Sequence, residues 1–207
     1  MTPVAEASRP SHAAVLDRAW FDRPATAVAV DLLGARLVHA SADGVVGGRI
    51  VEVEAYQGPE DLAAHSARGR TARTTTMFGP PGFLYVYLIY GMHHYLNVVT
   101  GPGTKPEAVL IRALEIDEGL EIARGRRGTS VVDTRLAAGP GNAGRALGID
   151  RRLDGADLCS GPVRIEAGPR RASEMHRGPR IGVAYAGSWA AQPLRFWIPD
   201  DPHVSRR

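Results

Sequence analysis

Glu54 lies in the run VEVEAY, residues 51–56, where polar and apolar side chains alternate. With a period of two, Ile50, Glu52, Glu54 and Tyr56 share one face of a strand, and Val51, Val53 and Ala55 share the other. One reading makes Glu52 and Glu54 the wet face of an amphipathic strand. The chemical reading notes that Ile50 and Tyr56 lie on that same face. A carboxylate beside an aromatic ring in a cleft is suited to act as general base on a water molecule. Arg112 sits inside VLIRAL, in an apolar segment. A guanidinium keeps its charge when buried, so burial demands a carboxylate or similar acceptor. Glu54 is available as that partner; an ordinary structural ion pair is the competing account.

A second group of residues could hold a flat ligand. Four of the six tyrosines fall in GFLYVYLIYGMHHYLNVV, Gly82 to Val99. In a strand, Tyr85 and Tyr87 share a face with Phe83 and Ile89, while Tyr90 has the opposite parity. With a turn at Tyr90-Gly91, the Tyr90 ring stands at a hairpin tip. There it either packs under a neighbouring loop or wedges between stacked bases, as in proteins that distort nucleic acid. His65 closes EDLAAHS, but Glu60, Asp61 and His65 lack the spacing of a metal site. His93 and His94 are adjacent and point apart on a strand, so no metal is expected. Arg68, Arg70 and Arg73, in ARGRTART, suit phosphate oxygens or form a solvated loop. Gly139-Pro140-Gly141-Asn142 opens a helix, whose first amides favour anions unless the motif is turn punctuation alone.

Composition narrows the classes. The chain has 207 residues, 44 % of them hydrophobic, enough for one well-formed core. No stretch approaches the roughly 18 apolar residues of a membrane span. The N-terminal residues lack the basic and apolar regions of a secretory signal. Cys159 is the only cysteine, so no internal disulfide forms. An intracellular, reduced protein is expected. The formal net charge of +3 tilts toward polyanionic partners. Lys105 is the only lysine, so 24 of the 25 basic residues are arginine. Chemistry through a lysine Schiff base is therefore poorly provided.

The elements that must position these residues follow from periodicity and punctuation. We expect a helix running into a turn over Ala27–Leu37 and a strand over Val45–Tyr56. Residues 57–82 form a long connection with a short helical piece at Glu60–Ser66; connections beyond about 12–15 residues tend to be functional or disordered. Strands are expected at Phe83–Ile89 and Leu96–Val99, with their turn near residues 90–93. Ala108–Ile116 is another strand, or a strand entering a helix at Glu115–Arg124, and a Gly-Pro turn opens a short helix within Leu136–Ile149. Short strands are expected at Arg164–Ala167, Arg180–Ala184 and Leu194–Ile198. The fold class is mixed α/β (α+β), with mostly antiparallel pairing. A single domain spans 15–207 after a flexible segment, 1–14.

In chain order, VEVEAYQGPEDLAAHS, MFGPPGFLYVYLIYGMHHYLNVV, VLIRALE, LAAGPG and RIGVAYAGSWAAQPLRFW closely resemble the 3-methyladenine (alkyladenine) DNA glycosylase family. This is the group unrelated to helix-hairpin-helix glycosylases. The match runs from about Phe21 to Ile198. The resemblance implies one domain with a curved, mostly antiparallel sheet and a protruding β-hairpin. It implies that alkylated or deaminated purines are flipped from duplex DNA and their N-glycosidic bond hydrolysed, leaving an abasic site. A monomer without cofactor, metal or membrane partner is implied. By the same resemblance, Glu54 activates the attacking water, and Arg112 and the backbone carbonyl of Ile181 help to hold that water. Tyr56, His65 and Tyr87 wall the base pocket, Asn97 disfavours normal guanine through its 2-amino group, and Tyr90 fills the gap in the duplex. Arg70, Arg73 and Gly141 are the expected contacts to the DNA backbone.

Overall fold

The computed structural model describes residues 14–102, 105–168 and 174–206. Residues 1–13, most of the segment expected to be flexible, lie outside them; Ala14 is already tied down, its carbonyl accepting from the Ala167 amide at 2.9 Å. The strands are β1 (Arg36–Ser41), β2 (Gly44–Tyr56), β3 (Leu84–Ile89), β4 (His93–Thr100), β5 (Glu107–Glu118), β6 (Val163–Glu166), β7 (His176–Gly178) and β8 (Arg195–Trp197). They form one sheet in the order β3-β4-β5-β2-β1-β6, and every pairing is antiparallel. The helices are α1 (Arg18–Phe21), α2 (Ala25–Leu32), α3 (Leu120–Arg127), α4 (Asp133–Leu136) and α5 (Pro140–Leu147).

β2 is the spine of the sheet. Its first half pairs with β1, and β8 takes over the same edge opposite Glu52–Glu54. β5 runs along its other side. Alternation divides β3 cleanly: Leu84 and Val86 enter the main core beside Leu96, Val98, Val109 and Ile111. Full burial of each such side chain contributes roughly 1.5–3 kcal/mol. Tyr85 and Tyr87 point the other way, into a separate cluster with Met77, Val99 and Ala108. Phe83 and Ile89 pack against that cluster, as strand parity required.

Some expectations need correction and others are settled. Within Ala27–Leu37 the helix ends at Leu32 and runs into the expected turn, where Gly34 (φ 88°) bends the chain and its amide bonds to the Ile50 carbonyl at 2.9 Å. β2 does not keep one parity. Its register with β5 shifts on both sides of Glu52, so that Val51 and Arg112 drop out of the Cα pairing. Ile50, Val53 and Ala55 therefore reach the main core, while Val51 packs with Ala113 and Val204. The segment expected as a strand at Arg180–Ala184 is a turn instead, with Gly182 at φ 80°, leading into 3-10 structure over Ala184–Ala191. Of the two readings of Ala108–Ile116 the plain strand holds: β5 stays extended to Glu118, and α3 begins only at Leu120. Glu60–Ser66 is mostly turn, and a short 3-10 helix covers His65–Arg68.

The hairpin β3–β4 rests on α5. An added Cβ on Gly141 would lie 2.8 Å from the His93 ring, and one on Gly144 would lie 2.3 Å from the His94 carbonyl oxygen. Glycine is needed there for close approach, and it seats the hairpin on the helix.

Candidate active site

Sheet register assembles the site. Tyr85, Asn97, Leu110 and Glu54 are successive partners across β3, β4, β5 and β2, forming one transverse row. In the next row on the same face, Tyr56 opposes Ala108. These rows back a cavity of about 660 Å³, closed at its sides by the 57–82 connection, residues 181–185 and the C-terminal residues Ser205 and Arg206.

Glu54 is wholly buried, which removes the solvated-face reading. Its carboxylate lies just behind the cavity lining, and all three of its polar partners, Tyr56, Arg112 and Ile181, line the cavity. Oε1 accepts from the Ile181 amide at 2.8 Å and lies 3.1 Å from Arg112 Nη1. Oε2 accepts from the Tyr56 hydroxyl at 2.8 Å. The Ile181 contact to Glu54 thus runs through its amide, whereas the resemblance implied a role for its carbonyl. Burial pushes the Glu54 carboxyl above the usual range; Arg112, the Ile181 amide and the Tyr56 hydroxyl oppose that rise, and Glu52 adds to it. A carboxylate has about four acceptor positions. Among the described residues Oε1 faces two donors, the Arg112 guanidinium and the Ile181 amide, and Oε2 only the Tyr56 hydroxyl, so Oε2 keeps the freer lone pair.

Arg112 finds the carboxylate its burial demands, and it finds two. Besides Glu54, its Nε donates to Glu52 Oε1 at 2.9 Å.

The walls are aromatic. His65 and Tyr87 touch edge to face, with ring centroids 4.5 Å apart and planes at 65°. That gap is too small to admit a ring, so the two form a single wall. His65 Nδ1 lies 2.9 Å from the Tyr85 hydroxyl. Burial, aided by Arg73 and Arg68, lowers the His65 pKa to about 4, so its imidazole is neutral at physiological pH. Burial likewise pushes Tyr85 up to about 12, against the pull of Arg73. Asn97 is buried, and its Nδ2 donates to the Tyr85 carbonyl at 3.2 Å.

Tyr90 occupies the tip of the β3–β4 hairpin and is 79 % exposed. It packs under no loop. Its φ of 53° and the 69° of Gly91 give the double positive φ of a type I′ turn. A left-handed conformation costs a non-glycine residue roughly 1–2 kcal/mol, so the fold holds a strained, exposed ring at the cavity rim.

The arginine loop divides. Arg70 is exposed, whereas Arg73 donates to the Leu88 carbonyl at 3.3 Å and lies 5.2 Å from the centroid of Tyr87. Gly141 lies under His93, outside the cavity lining. Asp61 belongs to no metal cluster with Glu60 and His65, because Arg180 and the amides of Gln57 and Ala63 occupy its carboxylate. Among the described residues, Glu115, Asp201 and His203 come within 4.8 Å of one another, but Arg49 already bridges Glu115 and Asp201.

Sequence reasoning missed several residues. Tyr185, the sixth tyrosine, stands 66 % exposed at the rim, its hydroxyl 3.4 Å from the Ala63 carbonyl. Arg135, Ser205 and Arg206 also line the cavity. Tyr185 carried a usable signal, an aromatic inside the quoted RIGVAYAGSW motif; the terminal Ser and Arg carried none.

The model of the methylpurine-DNA glycosylase family matches residues 19–202. The chain belongs to that family. A Streptomyces avermitilis protein provisionally named a 3-methyladenine DNA glycosylase is 49 % identical over 92 % of this chain and 90 % of its own length. Relatives of the same provisional name in Myxococcus xanthus and Methanocella arvoryzae are each 48 % identical, over 92 % and 93 % of this chain and 93 % and 96 % of their own lengths. As a methylpurine-DNA glycosylase, the chain is a DNA-repair hydrolase of the monofunctional type. The site agrees with that class. No lysine lines the cavity, and Lys105 is ion-paired to Glu107 at 2.8 Å. Among the described residues no helix is long and apolar enough to cross a membrane.

Proposed function

We propose that this glycosylase extrudes alkylated purines from duplex DNA and hydrolyses their N-glycosidic bond with Glu54 as general base. One observation carries the reading: a buried carboxylate, fixed by Arg112, the Ile181 amide and the Tyr56 hydroxyl, at the back of a tyrosine-walled cavity of about 660 Å³. A base inside a duplex is out of reach, and extrusion costs a few kcal/mol. Stacking on aromatic rings returns roughly 1–3 kcal/mol per base. Tyr56 on one side and the His65–Tyr87 wall on the other supply that surface, and Tyr90 fills the space left in the stack. Alkylation at a ring nitrogen leaves the purine cationic, and phenol faces attract a cation by about 0.5–2 kcal/mol. His65, being neutral, does not oppose it. Alkylated purines are therefore favoured over deaminated ones, which lack the charge.

Bond cleavage gives the sugar oxocarbenium character. The water attacks the sugar carbon as the base departs with the bonding electrons, and its proton passes to Glu54 Oε2. Asn97, held by the Tyr85 carbonyl, meets the base edge and disfavours the 2-amino group of normal guanine. Arg70, Arg73 and the rim arginines Arg135 and Arg206 bind phosphates.

The decisive experiment is Glu54→Gln assayed on duplexes carrying 3-methyladenine, 7-methylguanine or hypoxanthine, with the released base identified. We expect lesion-duplex binding to persist while release falls by roughly 10²–10⁴. Release at the wild-type rate would remove Glu54 from this role.

A further inference from the structure

Glu52 is a second buried carboxylate beside the reacting one, with no accessible surface. Three elements converge on it. Its Oε1 accepts from Arg112 Nε on β5 at 2.9 Å and from Arg195 Nη1 on β8 at 3.2 Å. Its Oε2 accepts from the Ser205 amide at 2.7 Å. The C-terminal residues are gathered by the same group of charges: Arg195 Nη1 also donates to the Arg206 carbonyl at 3.3 Å, and Arg112 Nη2 to Ser205 Oγ at 3.5 Å. Val204 packs with Val51 and Ala113 behind them.

Each nitrogen of the Arg112 fork thereby has a partner. Nε goes to Glu52, Nη1 to Glu54 and Nη2 to Ser205. A guanidinium between two carboxylates could otherwise swing to pair face-on with either one. A bidentate pair with Glu54 would cover both of its oxygens and lower its basicity. The anchor at Nε prevents that rotation and leaves Oε2 free of arginine. We infer that Glu52 is a positioning residue for the reaction: it locks Arg112 in the one orientation that steadies Glu54 without neutralising it, and it docks residues 205–206 as part of the pocket wall. The inference rests on the reading of Glu54 as general base.

The charge near Glu54 offers the test. Besides Glu52 and Arg112, that carboxylate is faced by Tyr56 on its own strand, the Ile181 amide, and Tyr87 and Tyr95 of the hairpin, while Arg195, its Cα partner on β8, pairs with Glu52. Glu52→Gln keeps the shape and removes one anion. Single-turnover release of 7-methylguanine from duplex DNA should fall about 10- to 100-fold at its plateau, the scale of a small misplacement in an active site. The acid limb of the pH–rate profile should move to lower pH. Arg195→Gln removes a cation from the same cluster and keeps the test available if the first variant misfolds; its acid limb should move to higher pH. A structural role alone would lower the active fraction without moving either limb, and unmoved limbs or a wild-type plateau in Glu52→Gln would overturn the inference. Glu54→Gln separates the two claims. If the limb survives in that variant, the general-base reading fails; if it vanishes there yet stays fixed in the other two, only the role of Glu52 fails.

Discussion

The guanidinium of Arg180 stands 4.6 Å from the ring centre of Tyr56. Arg180 is wholly buried in a bidentate pair with Asp61, and its Nη1 also donates to the Ala55 carbonyl at 2.9 Å. One face of Tyr56 is therefore occupied by a fixed cation. The hydroxyl is bound to Glu54, so only the remaining face is available for stacking. Arg180 immediately precedes Ile181, whose amide binds Glu54, and the same ion pair thus fixes a wall and a floor of the cavity.

Asp61→Asn should expose the cost of that arrangement. Removing one partner of a buried pair leaves the other charge uncompensated, typically a loss of about 3–5 kcal/mol. Denaturant titration of the variant should show a midpoint lowered accordingly, and an unchanged midpoint would show that the pair contributes little.

Tyr56→Phe keeps the ring and deletes the hydroxyl donor to Glu54. That donor lowers the Glu54 pKa, so its loss should raise a value that burial already lifts. A general base works deprotonated, hence the acid limb of the excision profile should move to higher pH. A shift to lower pH would contradict the hydrogen bond at Oε2.

Tyr90→Gly should separate stability from function. Glycine relieves the left-handed strain, and after its extra freedom in the unfolded chain is subtracted, the gain is up to about 1 kcal/mol. Retention of an extruded base should weaken at the same time, seen as a lower signal from a fluorescent base analogue at the lesion. Unchanged flipping would return Tyr90 to a purely conformational role.

Borohydride should trap no covalent protein–DNA adduct during turnover. Lys105 is held by Glu107, and no lysine reaches the cavity. A trapped adduct would require an amine from elsewhere in the chain.

The hairpin and its tip were legible because Tyr85 and Tyr87 obey simple strand parity and Tyr90-Gly91 marks the turn. The burial of Arg112 was legible from its apolar flanks, but its second partner was not. Glu52 reads as solvent-facing from alternation alone, and only the approach of β8 and the C-terminal residues buries it. The faces of β2 failed for a related reason: the bulge at Val51 and its counterpart at Arg112 belong to the pairing of two strands about 60 residues apart, which no single segment encodes. Arg180–Ala184 is β-branched enough to suggest a strand, yet Gly182 and the engagement of Arg180 with Asp61 bend it into the site. Tertiary partners decided each of these cases against local pattern.

The seating of His93 and His94 on Gly141 and Gly144 bears on where mechanical work is done. With the His93 ring against the Gly141 backbone and the His94 carbonyl against that of Gly144, the arm that carries Tyr90 has a close-packed fulcrum. On the proposed reading, in which that ring presses on a double helix, the softer body must give way, and the kink is written into the nucleic acid rather than the enzyme.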